Sequence, residues 1–259
     1  KVFNRLKNFL NIWQLKHDKR VNEAFKTAKL LISSIPDSYR AIKRYKGLES
    51  VIIPETGCFL SEDIPTERFE EEYLHVMWVG KFDFRKQLPL ALWTIATVAN
   101  PHVILDVYGS GSDEQMHHAK YLASELGIED MVVWHGNQSN DVVLEAMRKS
   151  QLFIFTSVSE DTSTVVLEAI SNRLPVVCFD ACGMAAVIDN KVGRKISLSK
   201  PMQSVHDFAK VLKNLERNRD LLKQMSENCR QRQLELSWEE KAKTMVEWYE
   251  KILRKYQDA

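Results

Sequence analysis

The stretch SEDTSTVVLEAISNRLPVV (159–177) sets two carboxylates, Glu160 and Glu168, eight positions apart across the start of an apolar helical pattern. If the helix starts near Ser163, the amides around Thr162, Ser163 and Thr164 have no partner within it. Free N–H groups at the head of a helix attract anions. Glu168 then lies about five residues into the helix, roughly 7 Å along at 1.5 Å per residue. That is near the span from a diphosphate to its ribose, whose two hydroxyls one carboxylate can hold. Glu160, ahead of the helix, falls beyond the phosphates, where a leaving sugar would be. The two acids can bracket a nucleotide-sugar; two solvated surface carboxylates are the plain alternative.

Three further loops carry residues suited to the same task. GKFDFRK (80–86) ends an apolar run at Gly80 and follows it with the cations Lys81, Arg85 and Lys86, which suit phosphate unless they form a solvated basic turn. YGSGSDE (108–114) is a GxG turn without the third glycine of a dinucleotide fingerprint, so it reads as a tight turn. In WHGNQ (134–138), His135 reads as a packing or hydrogen-bonding residue before it reads as a base. The backbone of Gly136 and Asn137 can meet the edge of a flat ligand. His117 and His118 fall in mid-helix without a third ligand, so no metal is assigned.

Short apolar runs and helical patterns alternate from residue 74 onward and position these loops. LHVMWVG (74–80), VILDVYGSG (103–111), MVVWHG (131–136), LFIFTS (152–157) and LPVVCFD (174–180) read as buried strands. Helical patterns at 88–99, 113–127, 141–150 and 164–172 lie between them. Strand and helix alternating with short connections predict an α/β fold, a Rossmann-like doubly wound parallel sheet. Such sheets bind ligands outside the carboxyl ends of their strands. Residues 203–257 are mostly helical in pattern, with Ser237 as a cap and an apolar stripe of Met245, Trp248, Tyr249 and Ile252. Near the other end, AKLLISSI (28–35) and SVIIPETG (50–57) read as strands around a helix at 37–47, too little for a sheet domain of its own. The expected organisation is a truncated second α/β domain with a linker at 1–68, the main domain at 69–236 and a terminal helix at 237–259 packing back toward the first.

The bulk numbers exclude several classes. Thirty-six basic against thirty-five acidic residues leave +1, so no global field points to nucleic acid. The four cysteines lack CxxC spacing and read as buried thiols in a reducing compartment. No apolar run approaches 18 residues and no signal peptide is visible, so a cytoplasmic location is expected. The chain opens with Lys1 and not Met, which suggests further sequence upstream. KVFNRLKNFLNIWQLKHDKR (1–20) sets Phe3, Leu6, Phe9, Leu10 and Trp13 against Lys and Arg. That pattern fits peripheral contact with an anionic membrane, though such a helix more often packs on its own protein.

Taken together, these residues resemble the C-terminal, donor-binding half of the retaining group 1 glycosyltransferases (glycosyltransferase family 4, GT-B fold). The resemblance rests on Glu160 and, after seven intervening residues, Glu168 within Leu167-Glu168-Ala169, and on Pro175-Val176. It extends to Gly80-Lys81 with Lys86, to His135-Gly136 and to Ser237-Trp238-Glu239, in the family's order over about 230 residues. Residues 28–57 are similar to the last strand–helix–strand of the family's N-terminal domain. Asp161, Ser163 and Arg173 stand where the family usually carries glycine.

The resemblance implies a hexosyl-type glycosyltransferase acting with a UDP-, GDP- or ADP-linked sugar and a glycan or lipid-linked acceptor, as in polysaccharide biosynthesis. Lys81 and Lys86 would hold the diphosphate, the amides near Thr162 to Thr164 would assist, Glu168 would take the ribose and Glu160 would stand by the donor sugar. No metal or other cofactor is expected, since cations and helix amides meet that need. The isolated chain is expected to bind nucleotide without transferring sugar. A nucleotide-sugar-binding domain without turnover is the alternative, and a GT-B epimerase or phosphorylase fits the motifs less well.

Overall fold

The computed structural model describes residues 2–61, 64, 67–161 and 163–257. In chain order the elements are α1 (Val2–His17), α2 (Lys19–Thr27), β1 (Ile32–Ser33), α3 (Pro36–Lys46) and β2 (Val51–Ile52). They continue with β3 (Leu74–Val79), α4 (Leu88–Val98), β4 (Val103–Tyr108), α5 (Asp113–Glu125), β5 (Val132–Gly136), α6 (Asn140–Lys149) and β6 (Leu152–Phe155). The last are α7 (Thr164–Ser171), β7 (Val176–Phe179), α8 (Met184–Val187), β8 (Gly193–Ile196), α9 (Pro201–Arg217), α10 (Arg219–Glu235) and α11 (Trp238–Gln257). The chain divides into two compact units, Thr56–Glu240 and a smaller one formed by the residues up to Glu55 with those from Lys241 onward.

In the larger unit six parallel strands lie in the order β5-β4-β3-β6-β7-β8. The strands alternate between two apolar layers. Val76, Trp78, Leu152, Ile154, Val177 and Phe179 face one, and Met77, Phe153, Phe155, Val176 and Cys178 face the other. Both faces are therefore buried, which is why these strands read as continuous apolar runs and not as period-two alternation. Each fully buried Phe or Leu stabilises the fold by about 1.5–3 kcal/mol relative to exposure. The GxG turn leads into a capping box at the head of α5. Ser112 Oγ accepts the Gln115 N–H at 3.3 Å, and Gln115 Oε1 accepts the Ser112 N–H at 2.8 Å.

Three expectations need correction. β8, with the sequence GRKI, was not expected, because a glycine and two cations do not make an apolar run. Its Gly193 is sterically required: a Cβ there would stand 2.1 Å from the Val176 carbonyl oxygen of the neighbouring strand. In the smaller unit the strands expected over 28–35 and 50–57 shrink to two residues each, paired in parallel as Ile32↔Val51 and Ser33↔Ile52. The flanking apolar residues there satisfied the strand pattern, but among the described residues no third strand pairs with them.

Of the expected amphipathic stripe in α1, the Phe3 and Leu6 side chains lie outside the described residues, while Phe9, Leu10 and Trp13 are exposed. No described helix is long and apolar enough to cross a membrane. Cys58, Cys178 and Cys229 are buried thiols as expected while Cys182 is half-buried, and burial pushes Cys178 up to about 12 and Cys229 further up.

Candidate functional site

Strand order reverses between β3 and β6, the place where open α/β sheets leave a crevice at the strand ends. Two loops leave from that point and are laced together. The Thr156 hydroxyl lies 2.7 Å from the Lys86 carbonyl oxygen and 3.0 Å from that of Gln87. It also accepts the Trp78 indole N–H at 3.0 Å. The Val158 N–H donates to the Arg85 carbonyl at 2.9 Å. Asp83 tightens the first loop from within, accepting the N–H groups of Arg85 at 2.9 Å and Lys86 at 3.1 Å.

This lacing turns Lys86 inward. Its Nζ is 2.7 Å from Glu160 Oε1, with both side chains largely buried, and it lies 5.1 Å over the Phe155 ring. The Ser157 hydroxyl lies 2.7 Å from the same Glu160 oxygen and 3.0 Å from the Arg85 carbonyl, so its single proton serves one or the other. Gly80 makes room for this arrangement, since a Cβ there would meet Lys86 Cγ at 3.2 Å. The other two cations of the loop do not join it. Arg85 pairs with Asp83 at 3.2 Å in solvent, and Lys81 is exposed.

Helix α7 begins at Thr164 with Ser163 as its cap residue, close to the expected start. Thr162 lies outside the described residues. The Ser163 carbonyl accepts the N–H groups of Val166 at 3.1 Å and Leu167 at 3.3 Å. Thr164 is exposed at the head of the helix, ahead of the first of these hydrogen bonds. Glu168 is half-buried in the second turn. Burial raises its pKa above the usual carboxylate value, opposed by a hydrogen bond from the Asn140 side chain at the head of α6.

At the end of β5, Gly136 has φ +69° with open space above it, and Asn137 is exposed. His135 is held by Asp106, its Nε2 2.7 Å from Oδ1, and stacks on Tyr108 with ring centroids 4.1 Å apart.

The fold thus brings Lys86, Glu160 and Gly80 into one contact and sets the head of α7 and Glu168 on the element that follows. Sequence reasoning missed Asn140, Ser157, Thr156 and Asp106. Only a polar residue opening a helix pattern hinted at the first, and nothing local marked the others. Among the described residues no group of three or more His, Cys, Asp or Glu side chains could hold a metal ion.

The family described as "Glycosyl transferases group 1" matches residues 61–232. An uncharacterized glycosyltransferase of Haemophilus influenzae is 25% identical over 209 residues, which is 80% of this chain and 51% of that protein. A D-inositol 3-phosphate glycosyltransferase of Streptomyces coelicolor is 26% identical over 52% of this chain and 29% of its own length. The chain therefore spans about half or less of these curated relatives. Among solved structures, Anabaena Alr3699/HepE in complex with UDP superposes with a TM-score of 0.74 at 17% identity, over 90% of this chain and 67% of that one. The pneumococcal O-GlcNAc transferase GtfA in complex with UDP and GlcNAc gives 0.69 at 16% identity, over 93% and 47%.

Proposed function

The chain belongs to the group 1 glycosyl transferases, and on that premise we propose that it is the donor-binding half of a retaining glycosyltransferase. The whole protein would move a hexosyl-type sugar from a nucleotide-linked donor to a glycan or lipid-linked acceptor. The observation that carries this reading is the Lys86–Glu160 contact at the strand reversal, beside the head of α7. A cation and the amides of a helix head there suit a diphosphate. The ends of β3 and β5 are two strand spacings apart, roughly 10 Å, comparable to the span from diphosphate to base. Gly136 and Asn137 would then meet the base, Glu168 the ribose, and Lys81 and Lys86 the phosphates.

In the transfer, Lys86 and the α7 amides would stabilise charge on the departing diphosphate without a metal. Glu160 would stand by the donor sugar, orienting it and offsetting positive charge at the reacting carbon. Donor phosphate and Glu160 therefore compete for one ammonium. UDP in solved structures of similar fold supports a nucleotide ligand.

Calorimetric titration with UDP, GDP and ADP tests the reading: one nucleotide should bind selectively, and binding of none would overturn it. Glu168→Ala should weaken that binding by about 10- to 100-fold, the loss of a charge-assisted hydrogen bond. Glu168→Gln should weaken it too while raising the thermal midpoint at pH 7. The sign follows from burial: a carboxylate whose folded pKa is raised destabilises the fold above that pKa, and the cost vanishes as pH falls below the unfolded value. A lowered midpoint for the Gln variant would argue that Glu168 is structural.

The same reading keeps the protein in the cytoplasm, with the exposed Phe9, Leu10 and Trp13 of α1 as a peripheral membrane contact. Failure to sediment with vesicles containing anionic lipid would remove that part.

A further inference from the structure

The sheet face turned toward α6 holds a cluster that the donor site does not use. Asp106, in β4, is 8% exposed, and its two oxygens are taken by different rings. Oδ2 is 2.7 Å from His75 Nδ1 of β3, and Oδ1 is 2.7 Å from His135 Nε2 of β5. A carboxylate only accepts, so both rings turn an N–H inward, and Asp106 fixes the protonated nitrogen of each. One buried side chain thus ties three adjacent strands together, from His75 near the amino end of β3 to His135 near the carboxyl end of β5.

His135 sits at an irregularity. Register passes from Val107↔Trp134 to Tyr108↔Gly136, so His135 and Gly136 both oppose Tyr108. Bulges of this kind aim side chains and end pairing beside functional sites. The Tyr108 ring lies 6° from parallel to His135, and the Gln138 side chain donates to the His135 carbonyl at 2.6 Å. The next residues, Gly136 and Asn137, are those read above as the base contact. They follow His135 directly in the chain.

A cavity of about 600 Å³ opens beside the cluster, lined by His75, Asp106 and Tyr108 among others, so His75 exchanges protons with solvent. The other charged groups facing it are Glu71, ahead of β3, and Asp141, Glu145 and Lys149 of α6, the last two paired at 3.2 Å.

We propose that Asp106 is a positioning residue for the nucleotide site, holding His135 so that Gly136 and Asn137 are set to meet the base, and that His75 makes this hold depend on pH. The proposal rests on the donor-site reading. The hydrogen bond to Asp106 raises the pKa of His75, with burial opposing. Below that pKa the cluster carries one more positive charge. As pH rises through it the charge is lost, and an anionic ligand should bind more weakly.

The test is calorimetric titration of the whole chain with the selected nucleoside diphosphate at several pH values between 5.5 and 8.5. Wild type, Asp106→Asn and His75→Gln would be compared, with thermal midpoints taken alongside. The nucleotide's own phosphate titrates near 6 in every sample, so differences between profiles are what is read. Asn presents an N–H to a ring that also presents one, so one histidine must change tautomer or swing away. Asp106→Asn should therefore weaken binding by about tenfold, one charge-assisted hydrogen bond's worth. His75→Gln keeps a donor toward Asp106 and should bind well at high pH. It should lose the extra low-pH affinity of wild type, about threefold to tenfold where a pKa moves by up to a unit on binding.

Lower midpoints with unchanged affinity and parallel pH profiles would mean that the cluster only stabilises the sheet, and would overturn the proposal alone. Failure of wild type to bind any of the three nucleotides would overturn the donor-site reading and this proposal with it. If Asp106→Asn does not fold, the His75→Gln profile decides: loss of the low-pH gain supports the proposal and its persistence overturns it.

Discussion

Lys86→Ala is expected to weaken nucleoside diphosphate binding by about 10- to 100-fold, while Glu160→Gln should strengthen it by about threefold to tenfold. The opposite signs follow from one contact. Lys86 Nζ is 2.7 Å from Glu160 Oε1, and both side chains are shielded from solvent. A phosphate must draw the ammonium from a carboxylate already paired with it. Buried pairs retain much of their attraction because little water screens them, although desolvation offsets part of it. Removing the negative charge frees the cation for the ligand. The same change should lower sugar transfer by about 100-fold or more in a protein competent for it, as losing one preorganised stabilising group does elsewhere. Calorimetry on the single variants and the double variant separates the terms. If Glu160→Gln weakens nucleotide binding as much as Lys86→Ala, the two residues support the ligand jointly and do not compete.

Gly109→Ala should destabilise the larger unit by about 3 kcal/mol or more, combining the cost of a glycine-only backbone region with overpacking. Gly109 has φ +132°, and a Cβ there would stand 1.8 Å from the Gly80 carbonyl oxygen, a distance no relaxation of a side chain can relieve. The ends of β3, β4 and β5 meet at this point. The Gly80 N–H donates to the Tyr108 carbonyl at 3.0 Å, and the Gly109 N–H to that of Gly136 at 2.7 Å. Pushing these strands apart should also displace Lys86, whose stem passes over Gly80. Gly127→Ala is the control. Gly127 has φ +64° with nothing near its Cβ position, so only the left-handed backbone is strained, at about 1 kcal/mol. Urea unfolding followed by tryptophan fluorescence would compare them, and equal losses would refute the steric argument.

Some of this was legible in the sequence alone. Five strands of the main sheet and the helices between them follow from patterns contained within six to fifteen residues, which is the range over which burial imposes a period. The start of α7 was legible for the same reason: hydroxylated residues before an apolar run mark a helix head. The glycines at 80 and 136 stood at strand ends as loop punctuation does. Arg173 is instructive in the other direction. It occupies a position where glycine is usual in the resembled family, and its φ of +53° shows why glycine suits that turn. Its carbonyl accepts the Ser226 hydroxyl at 2.7 Å and a buried Arg68 N–H at 2.8 Å, contacts that hold the backbone there.

What the chain by itself determined, then, is the alternation of elements and the loops that carry polar chemistry, because both are written in local periodicity and local backbone preference. Tertiary structure alone decided the strand order, and with it which loops become neighbours. Lys86 and Glu160 are 74 positions apart, and Asp106 lies 31 positions from His75 and 29 from His135; no local pattern ties such residues together. β8 belongs to the same class, since a strand of GRKI becomes a strand only when β7 offers its edge. Long-range pairing is set by which buried faces can pack together, a property of the assembled sheet and not of any short segment.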